Sequence, residues 1–530
     1  MKMNMRWFQR KQNRMVLALG CALVLIGLVQ ARPARAQLTQ LYAFQYDAST
    51  TSNYPDGENP LAELIEGADG NYYTTTQSGG SGACPGESAA IPGCGAVVEI
   101  TPAGVFSVLY SFPYDASNNG APNGLNPAAG LLQGPDGNFY GVTASGGTGG
   151  DFCVVPVGIT GCGTAFKLTP GGTLTVLHSF CGGNGCGSLS TDGATPLGRL
   201  AIGPDANLYG TTQVGGIYNG LYNSGTVFRV SLSGAYEIVH IFSGAAGTGD
   251  GENPAAGLTL ASDGNFYGTT EFGGSSGFGT VFRMNLAGTV TILQSFAQYD
   301  PNGAQPLGAL VQASDGNLYG TCYSGGANNM GTLFRISTAG VFKKIYDFDG
   351  TVGSDPKAGV IQASDGNLYG AAWMSAQSLG SIYQVTLNGV ATLEANFNPN
   401  GPTGYEPVDA LVQGSDGSLY VTAPSGGGTN SNGVPDQGTI DVFKAGLAPP
   451  KPGILGFVPA SGKVGAKVTL GLGPYVGATS VKFNGKSASF VINSSDFITA
   501  TVPAGATSGP ISVTNAEGTA TSRQSFTIIP

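Results

Sequence analysis

Tyrosine and aspartate recur side by side in this chain. Tyr46-Asp47-Ala48 and Tyr114-Asp115-Ala116 repeat one another, and Tyr299-Asp300 echoes them. Tyr218, Tyr222 and Tyr405 fall in comparable stretches. A phenol ring beside a carboxylate suits neutral sugars, because the ring stacks on the apolar sugar face while the carboxylate accepts hydroxyl protons. The opposing reading is that these tyrosines pack their own loops down.

Other reactive side chains offer less. His178 and His240 are the two histidines, each two residues before a strand-ending Phe. The same slot elsewhere holds Tyr42, Tyr110, Gln294, Tyr346 and Ala395, a variety that a structural position tolerates and a catalytic base does not. Asp347, Asp349 and Asp355 offer oxygens in one loop but miss the EF-hand spacing. Gly-Gly pairs lack the Gly-Lys-Ser/Thr that a phosphate loop needs. No catalytic residue, metal or cofactor is expected.

Seven cysteines follow the first 36 residues. Cys84/Cys94 and Cys153/Cys162 share one repeat slot, and Cys181/Cys186 lie in another loop. In an exported chain these spacings predict three local disulfides; zinc is the rival reading. Cys322 replaces the Thr seen at Thr212 and Thr270, which predicts a free, packed thiol.

The export expectation comes from the N-terminus. A basic stretch precedes the apolar run Met15–Val29, and Ala34-Arg35-Ala36 follows as a small-x-small cleavage site. The run is too short to span a bilayer comfortably and suits a signal segment cleaved after Ala36. Cys21 does not end the run, which argues against lipidation. No later stretch reads as a membrane span.

Those 36 residues carry seven basic residues and no acid, so the remainder holds 15 Lys and Arg against 32 Asp and Glu. Such a chain repels nucleic acid and anionic membrane. Charged residues are only 10% of the whole, which excludes coiled coils and charge-rich disorder.

One motif, clearest as ASDGNLYGT from Ala313, recurs seven times. Its aspartates are Asp69, Asp136, Asp205, Asp263, Asp315, Asp365 and Asp416, at spacings of 67, 69, 58, 52, 50 and 51. A Tyr stands four residues after each. Around it each unit reads as four short strands, a to d, with an Asp-Gly hairpin between a and b. Four strands per unit of about 50 residues, repeated, is the pattern of a β-propeller. The seventh unit lacks strand d, and LTQLYAF, ending at Phe44, supplies a surplus one that would complete it.

This repeat resembles the bacterial GloVer tandem-repeat family of exported, choice-of-anchor proteins over about residues 38–443. The resemblance implies an exported propeller-like protein and carries no catalytic residues. Beyond the Pro-rich linker 448–452 the charge sign reverses. Residues 453–530 resemble the TIG/IPT family through Pro459, Ser461-Gly462, Gly465, VKFNG at Val481–Gly485, ATVP at Ala500–Pro503 and GPISV at Gly509–Val513. That implies an Ig-like fold without a site.

The expected architecture is all-β: a seven-bladed β-propeller over 37–447, then an Ig-like β-sandwich over 453–530. Because strands alternate in direction, loops b–c and d–a share one face, and the long insertions and paired cysteines fall there. The functional expectation is an exported, non-enzymatic binding or adhesion protein, secreted or at the cell surface. Its expected partners are neutral carbohydrate or cell-surface components. A secreted polysaccharide hydrolase or lyase and a passive surface component are the alternatives.

Overall fold

The structure is a computed structural model that describes residues 36–45, 47, 54–81, 93–114, 120–148, 161–180, 192–218, 221–222, 224–244, 249–376, 379–399, 401–428, 437–471 and 473–530. The expected leader therefore lies outside the described residues, apart from its last position. So do Tyr46, Asp115, Cys84, Cys153, Cys181 and Cys186.

The described residues form strands and turns and no helix. Seven four-stranded antiparallel sheets follow one another in an a-b-c-d order. Unit 5 is representative: strand a is Val311–Gln312, b Leu318–Cys322, c Thr332–Ile336 and d Phe342–Asp347. Strand b is buried at every position in all seven units, whereas strand d is partly exposed, as an outer edge must be. The seventh sheet takes its fourth strand from the N-terminus: Gln37–Ala43 pairs antiparallel with Thr439–Lys444, and Phe44 is fully buried beside them.

The repeated Asp and Tyr explain each other. In every unit the tyrosine hydroxyl donates to the aspartate four residues earlier, at 2.7–3.0 Å. The other carboxylate oxygen accepts the backbone N–H two residues on, closing an Asx-type turn. The next turn position needs a left-handed backbone. Glycine supplies it in six units, while Ala206 adopts φ 61° in the third.

A second repeated element escaped the sequence reading. Each strand a is preceded by an X-Pro pair whose X residue has φ between 53° and 61°: Asn59, Asn126, Thr195, Asn253, Gln305, Asp355 and Glu406. The N–H of each donates to a carbonyl of the preceding unit, at 2.7–3.0 Å, including Asn59 to Gln437 between units 7 and 1. The following proline rests on the glycine that opens strand c of that preceding unit; Gly279 under Pro306 is one of seven such pairs. Threonines of strand b add bonds to the next unit, as Thr269 to Gly308 at 3.2 Å and Thr422 to Ala62 at 2.9 Å. The units therefore form a closed, propeller-like circuit. The Pro series 60, 127, 196, 254, 306, 356 and 407 has the same spacings as the Asp series, so the signal was readable.

Residues 454–530 fold around a core of their own that includes Val468, Leu470, Tyr475, Val481 and Ile511. One sheet has four strands, running from Gly456–Val458 to Phe490–Ser494, and the other has five, including Gly509–Asn515 and Gly518–Ile528. This unit sits on the face of the a–b turns. Its Phe497 joins the hydrophobic cluster of Leu200, Ile202 and Phe228. Ala448 of the linker accepts a 2.6 Å bond from the Ser364 hydroxyl.

Candidate functional site: an axial channel capped at one end

Strand a of each sheet is innermost, so the residues from the X-Pro pair onward face the axis. They line a cavity of 690 Å³ to which all seven units contribute. Directly after the proline the wall is mostly aliphatic, with Leu61, Leu197, Leu307 and Val408; unit 6 places Lys357 there instead. Two residues deeper stand Glu63 and Arg199, with Asp409 beside them. The linker supplies Pro450, and the C-terminal unit Leu455, Pro474, Val476 and Asp496, to the same cavity from the a–b face.

Arg199 ties these parts together. Its guanidinium meets Glu63 at 2.9 Å and Asp496 at 3.5 Å. Arg199, Glu63 and Asp496 keep 33%, 20% and 33% of their side-chain surface open, and that surface faces the channel. Burial works against the charge of Arg199, but Glu63 and Asp496 overcome it and hold the guanidinium protonated. Burial, joined by the Glu63 charge, pushes the Asp409 carboxyl above the usual carboxylate range although it accepts the N–H groups of Glu63 and Ala410. Burial likewise raises Asp496, with Arg199 opposing and Glu63 adding to the rise. Three carboxylates face one guanidinium, so the interior is acidic and disfavours anions.

Lys357 marks the other end of the channel. Its Nζ lies 3.5 Å from the ring centre of Trp373, which directly follows strand b of unit 6, Leu368–Ala372. Burial lowers the Lys357 ammonium, against the pull of Glu406 and Asp355.

Of the Tyr-Asp residues expected to bind a ligand, Asp47, Tyr114, Tyr299 and Asp300 are described and do not line this cavity, while Tyr46 and Asp115 lie outside the described residues. Tyr114 packs half-buried against the core of Phe112 and Leu125. Tyr299 is 71% exposed with φ 56°, and Asp300 caps its own turn by accepting the N–H of Asn302 at 2.8 Å. Asp47 is half-buried. Tyr218 and Tyr222 belong to a small hairpin in which Tyr218 pairs with Leu221 and Tyr222 with Ile217. Tyr405 packs partly buried beside Leu411 and Phe443.

The histidines hold loops in place. His178 Nε2 lies 3.0 Å from Asp192 and the ring stacks on Tyr236; His240 Nε2 lies 2.7 Å from Asp250. Tyr42 makes the equivalent bond to Asp56 at 2.6 Å. Asp347 pairs with Lys344, and Asp349 accepts from Thr351. Among the described residues no group of three His, Cys, Asp or Glu side chains is placed to hold a metal ion. Cys94 and Cys162 are buried, and their expected partners lie outside the described residues. Cys322 is a free, fully buried thiol, and burial raises its proton affinity. Among the described residues no helix is long and apolar enough to cross a membrane.

Comparison with solved structures finds distant likenesses. The extracellular domain of a candidate hybrid two-component system from Bacteroides thetaiotaomicron shares 14% identity at a TM-score of 0.46, covering 89% of this chain and 53% of that one. A second such domain from the same organism shares 12% at 0.45, covering 94% and 60%. A candidate 6-phosphogluconolactonase from Bacteroides uniformis shares 16% at 0.40, covering 63% and 84%. No curated protein matches the chain. The Gloeobacter/Verrucomicrobia repeat matches residues 27–219 and again 217–435, which together span most of the sequence. The chain belongs to the Gloeobacter/Verrucomicrobia repeat family.

Proposed function

We propose that this chain is an exported, non-enzymatic binding protein: a seven-bladed β-propeller whose C-terminal Ig-like TIG/IPT unit caps one end of the axial channel. Ligand enters from the opposite face, where the b–c and d–a loops lie. The observation that carries this reading is the contact of Asp496 with Arg199 inside the channel. It turns an appended domain into part of the channel wall and leaves the loop face for access. Clefts of this size with a few convergent polar groups are where small ligands bind. The acidic interior selects neutral or cationic ligands, with neutral carbohydrate the leading class, and adhesion to cell-surface components would follow from multivalent display.

The N-terminal leader supports export with cleavage after Ala36 and a mature chain outside the cytoplasm. Disulfides Cys84–Cys94, Cys153–Cys162 and Cys181–Cys186 would brace the loop face there and lower the ordering needed for binding. The reading disfavours a lyase that relies on a catalytic histidine, because both histidines are engaged in loop ties.

The test pairs a glycan array with a polysaccharide activity screen on the mature protein. Saturable binding without turnover is the expected result. Turnover of any polysaccharide would replace this reading with the enzyme one, and an empty array would leave a passive surface component. Changing Tyr46, Tyr114 and Tyr299 together to Ala then asks whether the loop tyrosines contribute to the strongest array interaction.

A further inference from the structure

We infer that the channel mouth between units 5 and 6 is a sugar-binding subsite built on Trp373 and Tyr323, with Asp355, Lys357 and Glu406 as its polar partners. This rests on the binding function proposed above and names where and by what chemistry the ligand is held.

The position directly after strand b is equivalent in all seven units. It holds Gln77, Ala144, Gln213, Glu271 and Pro424 in five of them, but Tyr323 and Trp373 in the neighbouring units 5 and 6. Both aromatic residues are half-buried, so part of each remains open. Lys357, which lines the channel, extends over the indole with Nζ 3.5 Å from the ring centre. The indole therefore adjoins the mouth of the cavity. Ser354, next to Asp355, bridges to Met374, next to Trp373, and Gly331 lies against both Pro356 and the Tyr323 carbonyl, so the segments that carry Asp355, Lys357, Tyr323 and Trp373 meet here; the charges of Asp355 and Glu406 both reach Lys357. Asp355 and Glu406 are also two of the left-handed residues before proline, held rigidly by bonds to the preceding unit.

The chemistry is that of a pyranose. A sugar presents an apolar face of C–H groups that packs on an indole, and hydroxyls at its rim that donate to carboxylates and accept from an ammonium or phenol. Side chains fixed on a rigid ring lose little freedom when a ligand arrives. The excess of acids over bases in residues 37–447, 30 against 9, disfavours uronates and favours neutral sugars.

The experiment uses tryptophan emission. The sequence has two tryptophans and Trp7 lies in the leader, so in the mature chain Trp373 is the single reporter. Neutral oligosaccharides of glucose, mannose and xylose are titrated by fluorescence and calorimetry, with uronate and amine-bearing oligosaccharides alongside. The expected result is a saturable change in Trp373 emission with at least one neutral oligosaccharide. Trp373→Ala should then weaken calorimetric binding at least about tenfold and Trp373→Phe less. Calorimetric binding that leaves the emission and the Trp373→Ala affinity unchanged would overturn the subsite while sparing the binding function. Absence of binding by every oligosaccharide would overturn both, and preference for the uronates or amines would overturn the neutral-sugar assignment. If Trp373→Ala fails to fold, the emission titration decides alone.

Discussion

Pro306 of the fifth unit lies on Gly279 of the fourth so closely that a methyl group on the glycine would come within 2.6 Å of the proline ring carbon. Gly279 also has φ 102°, where a side chain is strained whatever the space. The same proline-on-glycine contact recurs at all seven junctions, so it welds the circuit. Gly279→Ala should destabilise the protein by about 3 kcal/mol, the sum of backbone strain and overpacking. Denaturant unfolding checks it, and a change under about 1 kcal/mol would show that the junction yields.

Ala206 occupies a left-handed turn position that glycine fills in the six other units. Its side chain is exposed, so little packing offsets that strain. Ala206→Gly should stabilise the protein by about 1 kcal/mol, seen as a higher Tm. An unchanged or lower Tm would contradict the strain assigned to this turn.

Asp441 stands where five other units put an aromatic ring, as Phe334 over Gly320; unit 7 pairs it with Val421 instead. Its carboxylate is wholly buried, accepts the Thr439 hydroxyl at 2.6 Å and the Gly404 N–H at 3.1 Å, and is pushed up to about 7 by burial. Burial also raises Glu66 to about 7, although Ser415 bonds it across the junction of units 7 and 1. A carboxyl raised in the folded state binds its proton more tightly there than when unfolded. Folding therefore gains stability as pH falls from about 8 to about 5, opposite to the usual paired carboxylate. Asp441→Asn should raise Tm at the alkaline end and flatten this slope. A wild-type Tm that falls steadily over the same interval would refute the assignment.

Arg199 is one cation among three carboxylates, so its loss and the loss of a carboxylate have unequal effects. Arg199→Met should destabilise by about 2–3 kcal/mol, less than a fully buried pair because the channel admits solvent. Asp496→Asn should change stability by less than about 1 kcal/mol, since it also removes a surplus negative charge. Hydrogen exchange at the a–b turns near Ala206 and Gly264 should rise in the Arg199 variant as the cap loosens. Equal effects of the two substitutions would refute this balance.

Deleting residues 38–45 removes the outer strand of the seventh sheet along with Phe44, exposing the edge of Thr439–Lys444. The shortened chain should aggregate or fail to fold. A soluble, cooperatively unfolding deletion variant would show that the circuit holds without this strand.

The repeat was legible in the sequence because it is written in local chemistry. Asp-Gly hairpins, alternating apolar strands and Phe-ending strands depend on neighbours a few residues apart, so their spacing alone named four strands per unit and the all-β class. The structural reading of His178 and His240 was legible for the same reason, from the variety in their slot. The X-Pro element was equally periodic, yet its purpose appears only when a left-handed residue is seen bonding the preceding unit. The site depended on more distant relations. Trp373 and Tyr323 are 50 residues apart and mean nothing together until the circuit sets equivalent strand ends side by side. Glu63, Arg199, Asp409 and Asp496 come from four segments separated by up to 433 positions. Only closing the ring and seating the C-terminal unit on it brings these charges into one channel, because a channel is made by the assembly of all seven units and by no single one.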